Sequence, residues 1–110
     1  MPDPDWIPDQ DDENQEGILT ETRKQVKKPP LYKVLLHNDD YTTMEFVTSV
    51  LISVFNKSAI DAQTIMMAVH LQGIGVAGVY TFEVAEAKVN KVIEAARANE
   101  FPLLCTMEEE

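Results

Sequence analysis

The sequence predicts an α+β two-layer sandwich, a three-stranded antiparallel sheet covered on one face by three helices in the order βααβαβ. Three observations carry this. Short alternating or β-branched segments fall at three places after residue 30. Between them lie stretches whose apolar residues recur at helical spacing, each opened by a Thr or Ser. At 110 residues and 45% hydrophobic content, the chain supplies one modest core and no second one.

The amino-terminal part, residues 1–30, is expected to lie outside that core. Met1 to Gly17 carries seven acidic residues, no Lys or Arg and three prolines, with only Trp6 and Ile7 as sizeable apolar side chains. Such a composition cannot bury enough surface to fold and predicts a disordered tail. Ile18 to Pro30 sets Arg23, Lys24, Lys27 and Lys28 against Glu21, and Pro29-Pro30 favours extended backbone, as in a tethering linker. The folded domain is expected over 31–110.

The first strand is expected over Leu31–His37, with Tyr32, Val34 and Leu36 on one face and Lys33 and His37 on the other. Asn38-Asp39-Asp40-Tyr41 is turn chemistry, and Thr42 with Glu45 reads as a capping box. The helix it opens is expected to reach about Asn56, burying Phe46, Val47, Val50, Leu51, Val54 and Phe55. Ser58 and Asp61 repeat the capping pattern for a second helix through Ile65, Met66, Met67, Val69 and His70, ending near Gly73. Ile74–Tyr80 is β-branched and glycine-spaced, as suits a strand packed closely against a neighbour. Thr81 is expected to cap a third helix over about Phe82–Asn99, with Val84, Ala85, Val89, Val92, Ile93 and Ala96 inward. Pro102 stops it, and Leu103–Met107 makes the last strand.

Composition excludes several functions. A net charge of −10 opposes binding to nucleic acid or anionic lipid, both of which need clustered Lys and Arg. No run of about 18 apolar residues suits a membrane span, and the acidic start is unlike a signal peptide, so a cytoplasmic protein is expected. The single Cys105 can form neither an internal disulfide nor a thiolate metal cluster. No Ser or Cys nucleophile sits in a recognisable motif, so no catalytic residue, metal or cofactor is expected.

Three features are candidates for a site: the turn Asn38-Asp39-Asp40, His70, and Met44, Met66 and Met67. Each also has a purely structural reading, as a helix lead-in, a helix-terminal histidine and core filler. The predicted fold brings the end of the first strand, the start of the first helix and the end of the second to one edge. A polar rim of acceptors around an apolar, Met-lined hollow would suit a cation beside a large apolar group, as in a free protein N-terminus with a bulky first side chain.

The chain resembles the ClpS family across its folded part. The resemblance rests on Tyr32-Lys33-Val34, Asn38 through Val47, Ala68-Val69-His70 with Gln72-Gly73, Glu83 through Val89, and Pro102-Leu103-Leu104-Cys105-Thr106. It implies a non-enzymatic adaptor that binds N-degron proteins beginning with Phe, Tyr, Trp or Leu and delivers them to the ClpA unfoldase of the ClpAP protease. Carried over by position, Asn38, Asp39 and His70 would hold the α-ammonium and first peptide group. Asp40, Thr42, Met44, Val47, Met66, Val69 and Leu103 would shape the side-chain pocket, with Met44 as a gate against β-branched residues. Glu83 and Lys88 match the family's contact with the ClpA N-terminal domain. Thr43 stands where many relatives have proline, and Ile74-Gly75 replaces a more polar pair.

Overall fold

The computed structural model describes residues 28–110, so the expected tail and most of the linker fall outside the described residues. The order is β1 (Tyr32–His37), α1 (Met44–Ser53), α2 (Ala59–Gln72), β2 (Ile74–Tyr80), α3 (Phe82–Ala98) and β3 (Leu104–Glu109). The strands form one three-stranded antiparallel sheet, as the sequence predicts, and their order within it is β2-β1-β3.

β1 is central because its alternation serves both layers. Val34 and Leu36 are fully buried under the helices, while on the far face Lys33 pairs with Glu108 of β3 at 3.5 Å. His37 Nε2 lies 2.8 Å from the Thr106 hydroxyl, so this histidine is engaged on the side away from the helices. Ala77 of β2 has no partner in the register between Val34–Gly78 and Leu35–Val76, a bulge that bends this strand over the core. Gly75 permits a close helix–strand approach: a Cβ there would meet Val69 Cγ2 of α2 at 2.6 Å.

The core joins Val34 and Leu36 of the sheet to Val50 and Leu51 of α1, Ala62, Met66 and Val69 of α2, and Ala85, Val92 and Ala96 of α3. The expected inward face of α3 needs one correction, since Val84 is exposed. The contact line runs through Ala85, Val92 and Ala96, and Val84 sits about 100° away from Ala85 around the helix.

Local boundaries differ from expectation where a side chain has a competing partner. The N-cap of α1 is Thr43, whose hydroxyl accepts from the Phe46 N–H, and not Thr42, whose hydroxyl donates to Asp39. α1 also ends at Ser53 rather than Asn56, because Asn56 adopts a left-handed φ of 57° and the Lys57 N–H closes back on the Leu51 carbonyl. Ser58 caps α2 through the Asp61 N–H, and Gly73 ends it at φ 90°, both as read from the sequence. Thr81 occupies the N-cap position of α3 without a side-chain capping bond. The last strand runs two residues further than expected, because Glu108 and Glu109 pair with Lys33 and Tyr32.

Candidate functional site

A hollow of about 540 Å³ opens where β1 ends, α1 begins and α2 ends. Its polar side is built from the turn after β1 and from His70, and its floor from the first turns of α1 and the last turns of α2.

Asp39 organises the turn. Its Oδ1 accepts from the backbone N–H groups of Tyr41 at 2.8 Å and Thr42 at 2.7 Å, and its Oδ2 from the Thr42 hydroxyl at 2.8 Å. Burial alone would raise the pKa of this carboxyl. The bonds from the Thr42 backbone and hydroxyl and the Tyr41 backbone favour the charged form and outweigh it, holding the pKa below its ordinary value. With about four lone-pair positions and three donors in place, the carboxylate keeps capacity for one more donor. Asn38 pins the turn to α2: its backbone N–H donates to the Gly73 carbonyl at 2.9 Å. That bond draws the Asn38 side chain and the last turn of α2, which carries His70, to the same edge.

The floor follows from helical spacing. Met66 and Val69 stand three apart on α2 and are 4% and 2% exposed; Val47, one turn into α1, is 7% exposed. Met44, the first residue of α1, is 42% exposed at the mouth. Apolar walls meet a rim whose carboxylates are Asp39, Asp40 and Glu45, and among the described residues no Lys or Arg lines the hollow. This arrangement attracts a cation attached to an apolar body.

The structure brings around this hollow the three residues expected to hold the amine, Asn38, Asp39 and His70, and, of those expected to shape the side-chain pocket, Asp40, Thr42, Met44, Val47, Met66 and Val69. Leu103 is not among its lining residues and is buried with the core. Tyr41, Thr43 and Glu45 also line it and escaped the sequence reading. Their signal was position alone, since each is interleaved with residues already singled out.

Glu83 and Lys88 sit apart from the hollow, on α3. Glu83 is exposed in the first turn. Lys88, about 140° further round the helix, is half-buried and turned inward. Its ammonium donates to the Val54 carbonyl at 2.8 Å and lies over the rings of Phe55 and Tyr80, 5.9 and 5.3 Å from their centroids. Lys88 therefore ties the C-terminal end of α1 to α3, where a cation is favoured by the helix dipole.

Among the described residues no group of three His, Cys, Asp or Glu side chains is placed to hold a metal ion. Cys105 is buried, which pushes its thiol pKa up to about 12 and leaves it without the thiolate a nucleophile or ligand needs. No helix among the described residues is long and apolar enough to cross a membrane.

Comparison with known proteins agrees with this architecture. Residues 27–106 match the family model described as ATP-dependent Clp protease adaptor protein ClpS. The ATP-dependent Clp protease adapter protein ClpS of Maricaulis maris is 58% identical over 94 residues, covering 86% of each chain. That of Myxococcus xanthus is 55% identical over 100 residues, covering 89% of this chain and 94% of the relative. Among solved structures, Agrobacterium tumefaciens ClpS2 bound to L-phenylalaninamide superposes with a TM-score of 0.73 at 42% identity, over 76% of this chain and all of that one. With the same βααβαβ sheet and a family match over the folded part, this chain belongs to the ClpS family of Clp protease adaptors.

Proposed function

We propose that the protein is a cytoplasmic adaptor, without catalytic activity, that binds the first residue of N-degron proteins beginning with Phe, Tyr, Trp or Leu. It would hand them to the ClpA unfoldase for degradation by ClpAP. The observation that carries this reading is the hollow itself: acceptors and carboxylates on one side, Val47, Met66 and Val69 as floor, and no Lys or Arg among the described residues that line it. The relative bound to L-phenylalaninamide supports it, because that ligand joins a free amine to an aromatic side chain.

In this mechanism the α-ammonium donates to the Asn38 side-chain oxygen, to His70 and to the remaining capacity of the Asp39 carboxylate. The first side chain descends between Met44 and Met66 onto Val69, with Asp40 and Thr42 along its flank. An unbranched thioether at the mouth fits around a slim Cβ and collides with a forked one, so Met44 selects against Val and Ile. Leu103 backs the floor from the core. Burying the first side chain contributes about 1.5–3 kcal/mol and each charge-assisted bond about 1.5–3. Association itself costs at least about 4 kcal/mol. The balance is a modest, reversible affinity, from which a partner pulling on the chain can strip the ligand.

Delivery needs a second contact, with the N-terminal domain of ClpA, to which Glu83 offers an exposed carboxylate and Lys88 the flank of its stem. The test is binding of peptides that differ only in the first residue, with Phe or Leu against Val or Ala, in wild type and in His70→Ala. Binding of Phe and Leu alone, lost in the variant, supports the reading. Absence of any first-residue preference would leave an adaptor fold whose hollow serves another ligand.

A further inference from the structure

We propose that Met44 is a site of reversible oxidation by peroxide, at which conversion of the thioether to its sulfoxide shuts the hollow against the ligand's first side chain. The proposal rests on the first-residue reading above and adds a regulation to it. Of the four methionines among the described residues, Met44 alone is both exposed and part of the hollow. Met66 lines the hollow but is 4% exposed, within the core. Met67 is nearly as open as Met44, at 37% against 42%, but does not line the hollow. Met107 packs against the core from β3. The exposure of Met44 follows from its place as the first residue of α1, directly after the Thr43 N-cap. Helical side chains lean back over the preceding turn, and at this position there is no preceding turn to cover the sulfur. The Cys105 thiol is buried and protonated, so it does not intercept the oxidant.

In the oxidation step a lone pair of the Met44 sulfur attacks one oxygen of hydrogen peroxide. The S–O bond forms as the O–O bond breaks, and the hydroxide released takes the proton of the transferred oxygen and departs as water. Sulfur gives up two electrons and peroxide accepts them. A methionine sulfoxide reductase reverses the change: two thiols become a disulfide and the sulfoxide oxygen leaves as water. While it persists, the sulfoxide sets a polar oxygen at the mouth, where the unbranched thioether stood. An apolar first side chain that covers it strips water from that oxygen, and the contact of a soft sulfur with an aromatic ring is lost. Oxidation of Met67 puts its oxygen outside the hollow and leaves binding as it was.

The experiment treats the full chain with hydrogen peroxide, maps the added oxygen by mass spectrometry, and measures fluorescence anisotropy with a peptide beginning with Phe. The expected map shows oxygen on Met44 and Met67 well before Met66. With Met44 oxidised, affinity for the peptide falls about tenfold, and methionine sulfoxide reductases acting on both epimers restore it. Met67→Leu shows the same fall. In Met44→Leu, whatever its starting affinity, the same treatment changes binding by less than about twofold. Unchanged affinity after Met44 is oxidised, or an equal fall in Met44→Leu, overturns the regulation; where the untreated protein still prefers Phe over Val, the first-residue reading stands. No preference of the untreated protein for Phe over Val overturns both.

Discussion

Replacing Lys88 by methionine removes the ammonium while keeping an unbranched stem of similar length, so it isolates the bond to the Val54 carbonyl. A hydrogen bond from a charged donor is worth about 1.5–3 kcal/mol, and a partly exposed cation over an aromatic ring adds about 0.5–1. Lys88 makes the 2.8 Å bond and faces two rings. Against this stands the cost of withdrawing the ammonium from water, which the variant no longer bears. The expected net loss is about 2 kcal/mol, or roughly 8–16 °C in Tm for a domain of this size. Urea and thermal unfolding of wild type, Lys88→Met and Glu83→Gln measure it. Glu83, exposed and in the first turn of α3, should change stability by less than about 0.5 kcal/mol. Lys88→Met within about 0.5 kcal/mol of wild type would refute the tie between α1 and α3. The comparison also separates two roles: a defect in unfoldase binding from Glu83→Gln reports the surface directly, whereas one from Lys88→Met is read only after its stability loss is accounted for.

Gly75→Ala should cost about 1–3 kcal/mol, because the added Cβ would press on Val69 Cγ2, and it should weaken binding of bulky first residues through that floor residue; unchanged unfolding and unchanged binding would show that β2 and α2 are not closely packed. Asp39→Ala leaves the Tyr41 and Thr42 N–H groups unpartnered and should lower peptide affinity at least about tenfold, a loss of about 1.4 kcal/mol by titration. The pKa of Asp39 is depressed on folding, so its contribution to stability is present above the ordinary carboxyl range and lost as pH falls through the folded value. An acid titration of unfolding free energy should accordingly be shallower for Asp39→Asn than for wild type, and equal slopes would count against the turn bonds. Cys105 has its pKa raised from 9.0 to about 12, so the unfolded thiol ionises first and stability should fall as pH rises between those values. That fall should diminish in Cys105→Ala, and a thiol reagent at pH 8 should modify the native protein far more slowly than the unfolded chain.

The elements whose side chains have one available role were legible in the sequence. Ser58 with Asp61, the left-handed Gly73, and the Val47-Val50-Leu51 stripe each satisfy a local requirement that no distant residue contests. The N-cap of α1 was ambiguous because Thr42 and Thr43 are both competent, and the choice falls to Asp39, whose carboxylate claims the Thr42 hydroxyl and leaves Thr43 to meet the Phe46 N–H. The length of β3 was hidden for a similar reason: Glu108 and Glu109 look like a solvated terminus until β1 supplies Lys33 and backbone partners. Most of the hollow was readable, since a turn and two helix ends meet at one edge of the predicted sandwich. Tyr41, Thr43 and Glu45 were not, because which residues of a turn face inward depends on how Asp39 folds it. The inward direction of Lys88 was likewise invisible, as its partner Val54 lies 34 residues away.

The central claim is that the hollow reads a free amine and an apolar side chain together. One titration tests it most directly: a fluorescent peptide beginning with Phe, the same peptide acetylated at its N-terminus, and the same peptide beginning with Val, each against the intact protein. Under the proposed function, acetylation would remove the charge that Asn38, Asp39 and His70 are to receive, and Val would collide at Met44. The account predicts saturable binding of the free Phe peptide alone. Equal binding of the free and acetylated Phe peptides would contradict it.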